Sequence, residues 1–200
     1  MSSFIVWVDC EMTGLEVGVD EICEIAVIVT DEDLKPVHEG FQVVVKPSRK
    51  AMKNMGEFVT NMHTVSGLIT EIPQGIPIKK AEQQVLDYVK QWVTEKGTAP
   101  LAGNSIGTDR MFLNRQTPEF DAFLHYRNID VSSFKEMARR WYPKIYFQLP
   151  KKDVSHRALS DIQESIMELR YYRKVFLVPA PGPSAKELKL AVLALEADTL

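Results

Sequence analysis

The run Phe4-Ile-Val-Trp-Val-Asp-Cys-Glu-Met-Thr-Gly-Leu15 opens the chain with five apolar, mostly β-branched or aromatic residues and then turns acidic. Phe4–Asp9 reads as a strand buried in a sheet. Side chains two apart on a strand share a face, so Asp9 and Glu11 point the same way. Two carboxylates at the end of a buried strand repel each other and are costly to desolvate unless a cation neutralises them. All-oxygen ligands suit Mg²⁺ or Mn²⁺ rather than Zn²⁺. Taken alone, an Asp-x-Glu pair is more often an exposed pair of acids than a metal site, and that alternative stands at this point.

Working outward, Ile22–Thr30 and Gly40–Val45 read as two further strands, and the turn Asp31–Lys35 implies a hairpin. A short helix is expected around Phe58–Met62. Ala81, Val85, Val89 and Trp92 recur at helical spacing and predict an amphipathic helix over 79–95. Pro100–Gly103 and Tyr126–Val131 read as short strands, with a helix start at Asp109–Arg115 between them. Ser132–Trp141 predicts a helix capped by Ser132 or Ser133. Leu159, Ile162, Ile166 and Leu169 form the apolar stripe of a long helix over about 156–177. Antiparallel strands followed by alternating helix and strand predict an α/β fold with a mixed sheet flanked by helices. Residues 1–178 read as one domain. The Pro-Ala-Pro-Gly-Pro run that follows is a linker, and 179–200 is expected to be a frayed tail, with a short helix at Ala185–Leu195 as the alternative.

The 200 residues carry a formal net charge of −3. That balance argues against a protein that tracks long nucleic acid by neutralising many phosphates. The charge is uneven: residues 1–34 hold nine acids and no lysine or arginine, whereas 135–174 hold ten basic and five acidic residues. A metal site beside a phosphate-binding surface has this distribution, although ordinary solvated charge explains it as well. No apolar run approaches the ~18 residues of a membrane span. The N-terminus enters a strand with no basic leader, and two cysteines, Cys10 and Cys23, are too few for a disulfide framework. Reduced thiols without a leader point to the cytoplasm, or to mitochondria where a leader has been removed.

Two further units carry chemistry. Gly103-Asn-Ser-Ile-Gly-Thr-Asp109 is a loop at a strand end with an acid opening the next helix, the place where α/β sheets bind ligands, though Asp109 alone reads equally as a helix cap. Ser155-His-Arg-Ala-Leu-Ser-Asp161 places a histidine five residues before an acid. The two converge only if His156 precedes the helix and Asp161 lies within it. Together the units supply four carboxylates and one histidine, the groups that two-metal phosphodiester hydrolysis needs. The acids cage two ions, which assist the attacking water and the leaving oxygen, and the histidine takes the proton.

At this point the sequence resembles the DEDDh 3′-to-5′ exonucleases, and within them the oligoribonuclease family. The resemblance covers nearly all of residues 4–177. It rests on Trp7-Val-Asp-Cys-Glu-Met-Thr-Gly-Leu15, Gly103–Asp109, His125-Tyr-Arg-Asn128, Asp130-Val-Ser132, Lys135–Trp141 and His156–Asp161. It implies an RNase H-like mixed sheet flanked by helices (the DnaQ-like exonuclease fold). It also implies a homodimer that hydrolyses very short RNAs, especially dinucleotides, to nucleoside 5′-monophosphates with two Mg²⁺ or Mn²⁺ ions per site. Asp9 would bridge both ions, Glu11 and Asp161 would hold one, Asp109 would serve the other, and His156 would be the general base. Leu15 would wedge between the two substrate bases. Ser105, Arg127 and Ser132 would cap the 5′ phosphate, Tyr126 with His125 would reach the partner's site, and His63 would lie near the scissile phosphate. Where the family usually has Trp five residues before this histidine, the chain has Phe58, a smaller stacking surface.

Two other functions remain open on sequence grounds: a DEDDh exonuclease acting on single-stranded DNA or longer RNA, and a catalytically silent member that only binds nucleic acid. The near-neutral charge disfavours the first, and the intact acids and His156 disfavour the second. Two divalent ions among the N-terminal acids would also reconcile the negative charge with a substrate carrying few phosphates.

Overall fold

A computed structural model describes residues 3–150 and 157–198. Its sheet has five strands: β1 (Phe4–Met12), β2 (Ile22–Asp31), β3 (Phe41–Val44), β4 (Pro100–Gly103) and β5 (His125–Asp130). Their spatial order is β3-β2-β1-β4-β5. β1 and β2 pair antiparallel, as do β2 and β3. β4 and β5 add on the other side in parallel. The helices in chain order are α1 (Arg49–Asn54), α2 (Glu57–Val65), α3 (Leu68–Glu71), α4 (Ile78–Val89), α5 (Ile106–Gln116), α6 (Pro118–Phe123), α7 (Val131–Trp141), α8 (Pro143–Phe147), α9 (Ala158–Val175) and α10 (Ala185–Asp198).

Strand alternation sorts the two faces. Val6, Val8, Cys10 and Met12 of β1, with Ile25, Val27 and Val29 of β2, pack against Val85, Phe112, Leu113 and Phe120 of α4, α5 and α6. Trp7 points the other way, with Ala26 and Ile28, into a second cluster closed by Ala138 of α7 and by Ile162, Ile166 and Tyr172 of α9. Trp7 is fully buried and its Nε1 donates to Thr30 Oγ1 at 3.0 Å, so the indole leaves no polar group stranded. Truncating such a side chain to alanine costs on the order of 3–5 kcal/mol. The same parity sends Asp9, Glu11 and, from β2, Glu24 toward the layer that contains α9.

The predicted strands all appear, and β1 runs on through Glu11 to Met12. The Asp31 turn is real: the Leu34 N–H donates to the Asp31 carbonyl, and the Asp31 carboxylate accepts the N–H groups of Asp33 and Lys35. Several expectations need correction. The helix predicted over 79–95 ends at Val89, and the one predicted from Asp109 begins at Ile106. The cap of α7 is neither serine. Asp130 accepts the Ser132 N–H, and Ser132 and Ser133 lie inside the helix. Tail residues 185–198 are helical rather than frayed, yet every side chain described along α10 is exposed. The short helices α1, α3, α6 and α8 were not foreseen, since a stretch of four to six residues carries too little periodicity.

Candidate active site

Asp9 and Glu11 leave the same face of β1, and α9 packs across β1 and β2 on that face. Asp161 lies in the first turn of α9. One oxygen from each of Asp9, Glu11 and Asp161 falls within 4.8 Å of the others. Burial, followed by the neighbouring acids Asp109 and Asp161, holds the Asp9 carboxyl well above the ordinary carboxylate range. Burial, then Asp161, raises Glu11 to about 8. Groups so crowded cannot all ionise near neutral pH without a compensating cation. Three convergent carboxylate oxygens are the donor set that Mg²⁺ or Mn²⁺ prefers, so the residues fit a divalent ion.

Asp109 comes from the opposite layer, in the first turn of α5, and is buried. It reaches the centre past the end of β4, where its Oδ1 accepts the Cys10 N–H at 3.0 Å. Burial raises it to about 7 despite that hydrogen bond. Its oxygens do not fall within the three-residue cluster, but its charge acts on Asp9 and Glu11.

His63 is fully buried in the last turn of α2. Its Nε2 lies 2.9 Å from the Met12 carbonyl oxygen. A carbonyl can only accept, so Nε2 carries the proton and Nδ1 faces Glu11 Oε2 at 3.8 Å. The ring thus lies beside the Glu11 carboxylate. Phe58 lies five residues earlier on the same helix, about 140° around it, and is 80% exposed. Leu15 is 73% exposed in the loop leaving β1. That loop is rigid at its base. Asp20 accepts from Thr13 Oγ1 at 2.8 Å and from the Glu16 N–H at 2.9 Å, and a Cβ on Gly14 would meet the Asp20 carboxylate at 2.4 Å.

The other expected residues form two groups. Ser105 and Ser132 are joined through Asp130, whose Oδ1 accepts from Ser105 N at 2.9 Å, Ser132 N at 2.9 Å and Ser132 Oγ at 2.7 Å. Ser105 is held at φ 57°, a left-handed conformation unusual for a residue with a Cβ. His125, Tyr126 and Arg127 form the second group on edge strand β5. The two rings stack at 4.5 Å, and the guanidinium lies 5.5 Å from the Tyr126 ring centre. His156 lies outside the described residues.

Sequence reading missed several organising acids. Asp130 has a signal in the sequence, since Asp-x-Ser before a helix is an N-cap pattern, whereas Asp20, seven residues from Thr13, has none. Glu24 has none, because an acid in the apolar run Ile22–Thr30 announces a partner but not which one. Its partners are Arg157 and the N-terminus of α9.

The exonuclease family (RNase T type) matches residues 6–169. The oligoribonuclease of Leifsonia xyli subsp. xyli is 54% identical over 190 residues, 95% of this chain and 92% of that protein. That of Cutibacterium acnes is 52% identical over 179 residues, covering 90% and 89%. In fold, the chain is similar to E. coli exonuclease I solved with single-stranded DNA and zinc, with a TM-score of 0.65 at 12% identity. That match covers 87% of this chain but only 41% of the larger one, so it bears on architecture alone. It accords with the RNase H-like mixed sheet described above. Family, fold and the crowded carboxylates agree, and the chain belongs to the oligoribonucleases, 3′-to-5′ exoribonucleases of the RNase T-type exonuclease family.

Proposed function

We propose that the chain hydrolyses very short RNAs, dinucleotides above all, from the 3′ end to nucleoside 5′-monophosphates. The observation that supports this best is the meeting of Asp9, Glu11 and Asp161 oxygens within 4.8 Å at the end of the central strand. These acids, with Asp109, would hold two Mg²⁺ or Mn²⁺ ions, which when bound assist the attacking water and the departing oxygen electrostatically. His156 takes the proton from the attacking water. The water oxygen bonds to phosphorus and the P–O3′ bond breaks, so the phosphate stays on the 5′ oxygen of the released nucleotide. His63, its Nε2 proton committed to the Met12 carbonyl, turns Nδ1 toward the metal-binding acids and lies near the scissile phosphate.

Length selection follows from the far end of the site. Ser105, Ser132 and Arg127 cap a terminal 5′ phosphate, Arg127 through charge-assisted contacts. Leu15 wedges between the two bases, and Phe58 offers one of them a stacking face. Exposed Tyr126 on edge strand β5, backed by His125, supports a homodimer in which each copy completes its partner's site. The two buried free thiols suit the cytoplasm, and among the described residues no helix is long and apolar enough to cross a membrane.

End-labelled RNAs of two to ten nucleotides, incubated with Mg²⁺ or EDTA, test this directly. Dinucleotides should disappear fastest and EDTA should abolish turnover. Equal or faster cleavage of the ten-nucleotide RNA would exclude the 5′ cap, and intact RNA of every length with Mg²⁺ present would exclude the activity.

A further inference from the structure

Glu24 stands opposite Glu11 in the β1–β2 ladder and is fully buried. A buried carboxylate persists only if its oxygens are satisfied and its charge is paired. Its Oε1 accepts from Gln42 Nε2 at 2.6 Å and from Arg157 Nη2 at 2.7 Å and Nε at 3.2 Å. Its Oε2 accepts the Ala158 N–H at 3.0 Å. The rest of the Arg157 fork goes to Glu71 of α3, at 2.8 Å from Nη1 and 3.0 Å from Nη2. One guanidinium therefore joins β2, α3 and the start of α9.

Asp161 follows four residues after Arg157. Arg157, at the N-cap position of α9, makes no side-chain cap bond of its own. The first turn of this helix is tethered across the fold to Glu24 instead, and that turn carries Asp161. We propose that Glu24, Arg157 and Glu71 form a positioning unit that sets Asp161 against Asp9 and Glu11, and so governs divalent-ion affinity and turnover beyond any contribution to stability. The proposal rests on the reading that these acids hold metal. The Arg fork suits the task because its donors are fixed in one plane, whereas a lysine ammonium is a point charge that cannot meet two carboxylates bidentately.

The full chain is tested as Arg157→Ala, Arg157→Lys and Glu24→Gln. Mn²⁺ binding is measured by calorimetry, thermal midpoint without metal by scanning, and diribonucleotide hydrolysis across a Mn²⁺ series. For Arg157→Ala, Mn²⁺ affinity should fall at least tenfold and kcat at sub-saturating Mn²⁺ should fall at least tenfold. KM should move less than threefold, and excess Mn²⁺ should restore most of kcat. Arg157→Lys should fall between this variant and the wild type. Glu24→Gln keeps an acceptor for the Ala158 N–H but turns its amide N–H₂ toward the Arg157 and Gln42 donors, so it should lower the midpoint and, in the folded protein, weaken Mn²⁺ binding. Wild-type Mn²⁺ affinity in the folded variants, or a kcat loss that excess Mn²⁺ leaves in place, would overturn the proposal. If Arg157→Ala does not fold, the other two variants decide. Should the wild type bind Mn²⁺ but cleave no RNA, the function reading fails while the binding comparison still decides this one.

Discussion

Asp109 Oδ1 accepts the Cys10 N–H at 3.0 Å, so an acid from one helical layer occupies the edge of the central strand just beyond the end of β4. This bond has two separable functions: it satisfies a buried donor and it places a carboxylate beside Asp9. Asp109→Asn keeps an acceptor for Cys10 and removes the charge. It should fold with a thermal midpoint at or above that of the wild type and lose at least a hundredfold in kcat. Asp109→Ala should lose activity equally and also about 1–3 kcal/mol of stability, the cost of a stranded buried donor. Thermal scans paired with dinucleotide assays separate the two.

The acid cluster makes stability depend on pH in an uncommon direction. Glu11 is raised from 4.5 to about 8 and Asp109 from 3.8 to about 7, both chiefly by burial. Across that window the folded chain binds more protons than the unfolded chain, so stability falls as pH rises. Without divalent ions the thermal midpoint should therefore be lower at pH 8 than at pH 5. Mn²⁺ should raise it more at pH 8 than at pH 5, by binding the ionised acids of the folded state. Glu11→Gln should raise the metal-free midpoint at pH 8 and flatten the profile, while abolishing the Mn²⁺ effect. Scanning calorimetry over this range checks all three.

Phe58 stands 80% exposed on α2. Aromatic–base stacking is worth about 1–3 kcal/mol per base. Phe58→Ala should thus weaken dinucleotide affinity at least fivefold, and Phe58→Trp should tighten it about two- to fivefold. Fluorescence titration with a labelled dinucleotide, with Ca²⁺ in place of Mg²⁺, is the measurement. Unchanged affinity in both variants would remove Phe58 from the substrate site.

Asp130 caps α7 and holds Ser105 in its left-handed conformation through one oxygen. Asp130→Ala should cost about 1 kcal/mol for the lost cap. It should also raise KM for 5′-phosphorylated dinucleotides about tenfold, because Ser105 and Ser132, proposed to hold that phosphate, both lose their anchor. KM for dinucleotides lacking the 5′ phosphate should change much less, and that contrast is the readout.

Helix α10 is exposed along its described length. A chain ending at Val178 should keep the thermal midpoint within about 2 °C and the full dinucleotide activity, since no described side chain between Ala185 and Ala197 is buried. A large loss of either would show that the tail belongs to the working enzyme.

The fold was legible because its signals are strong and local. Phe4–Asp9 and Ile22–Thr30 are apolar enough to be central strands, and the i, i+2 geometry puts Asp9 and Glu11 on one face without further knowledge. What the sequence hides is long-range satisfaction. Asp130 displaces Ser132 and Ser133 as the cap because carboxylate, backbone and hydroxyl compete for one site, and only coordinates show which wins. Glu24 and Arg157 are 133 residues apart, and no spacing rule joins them. The roles of Leu15, Arg127 and Tyr126 rested on resemblance, since an exposed side chain carries no pattern of its own.

β1 is the middle strand of five, with partners on both edges and helices over both faces. β4 reaches only Val6 and Trp7, so Asp9 and Glu11 are held by the β2 ladder on one edge and by the Asp109 carboxylate at Cys10 on the other, and they part only when that buried ladder opens. Loss of activity on heating should therefore be all-or-none. A half-warmed sample should contain native and dead molecules rather than a population of slower ones, and its inactivation half-life should report global unfolding.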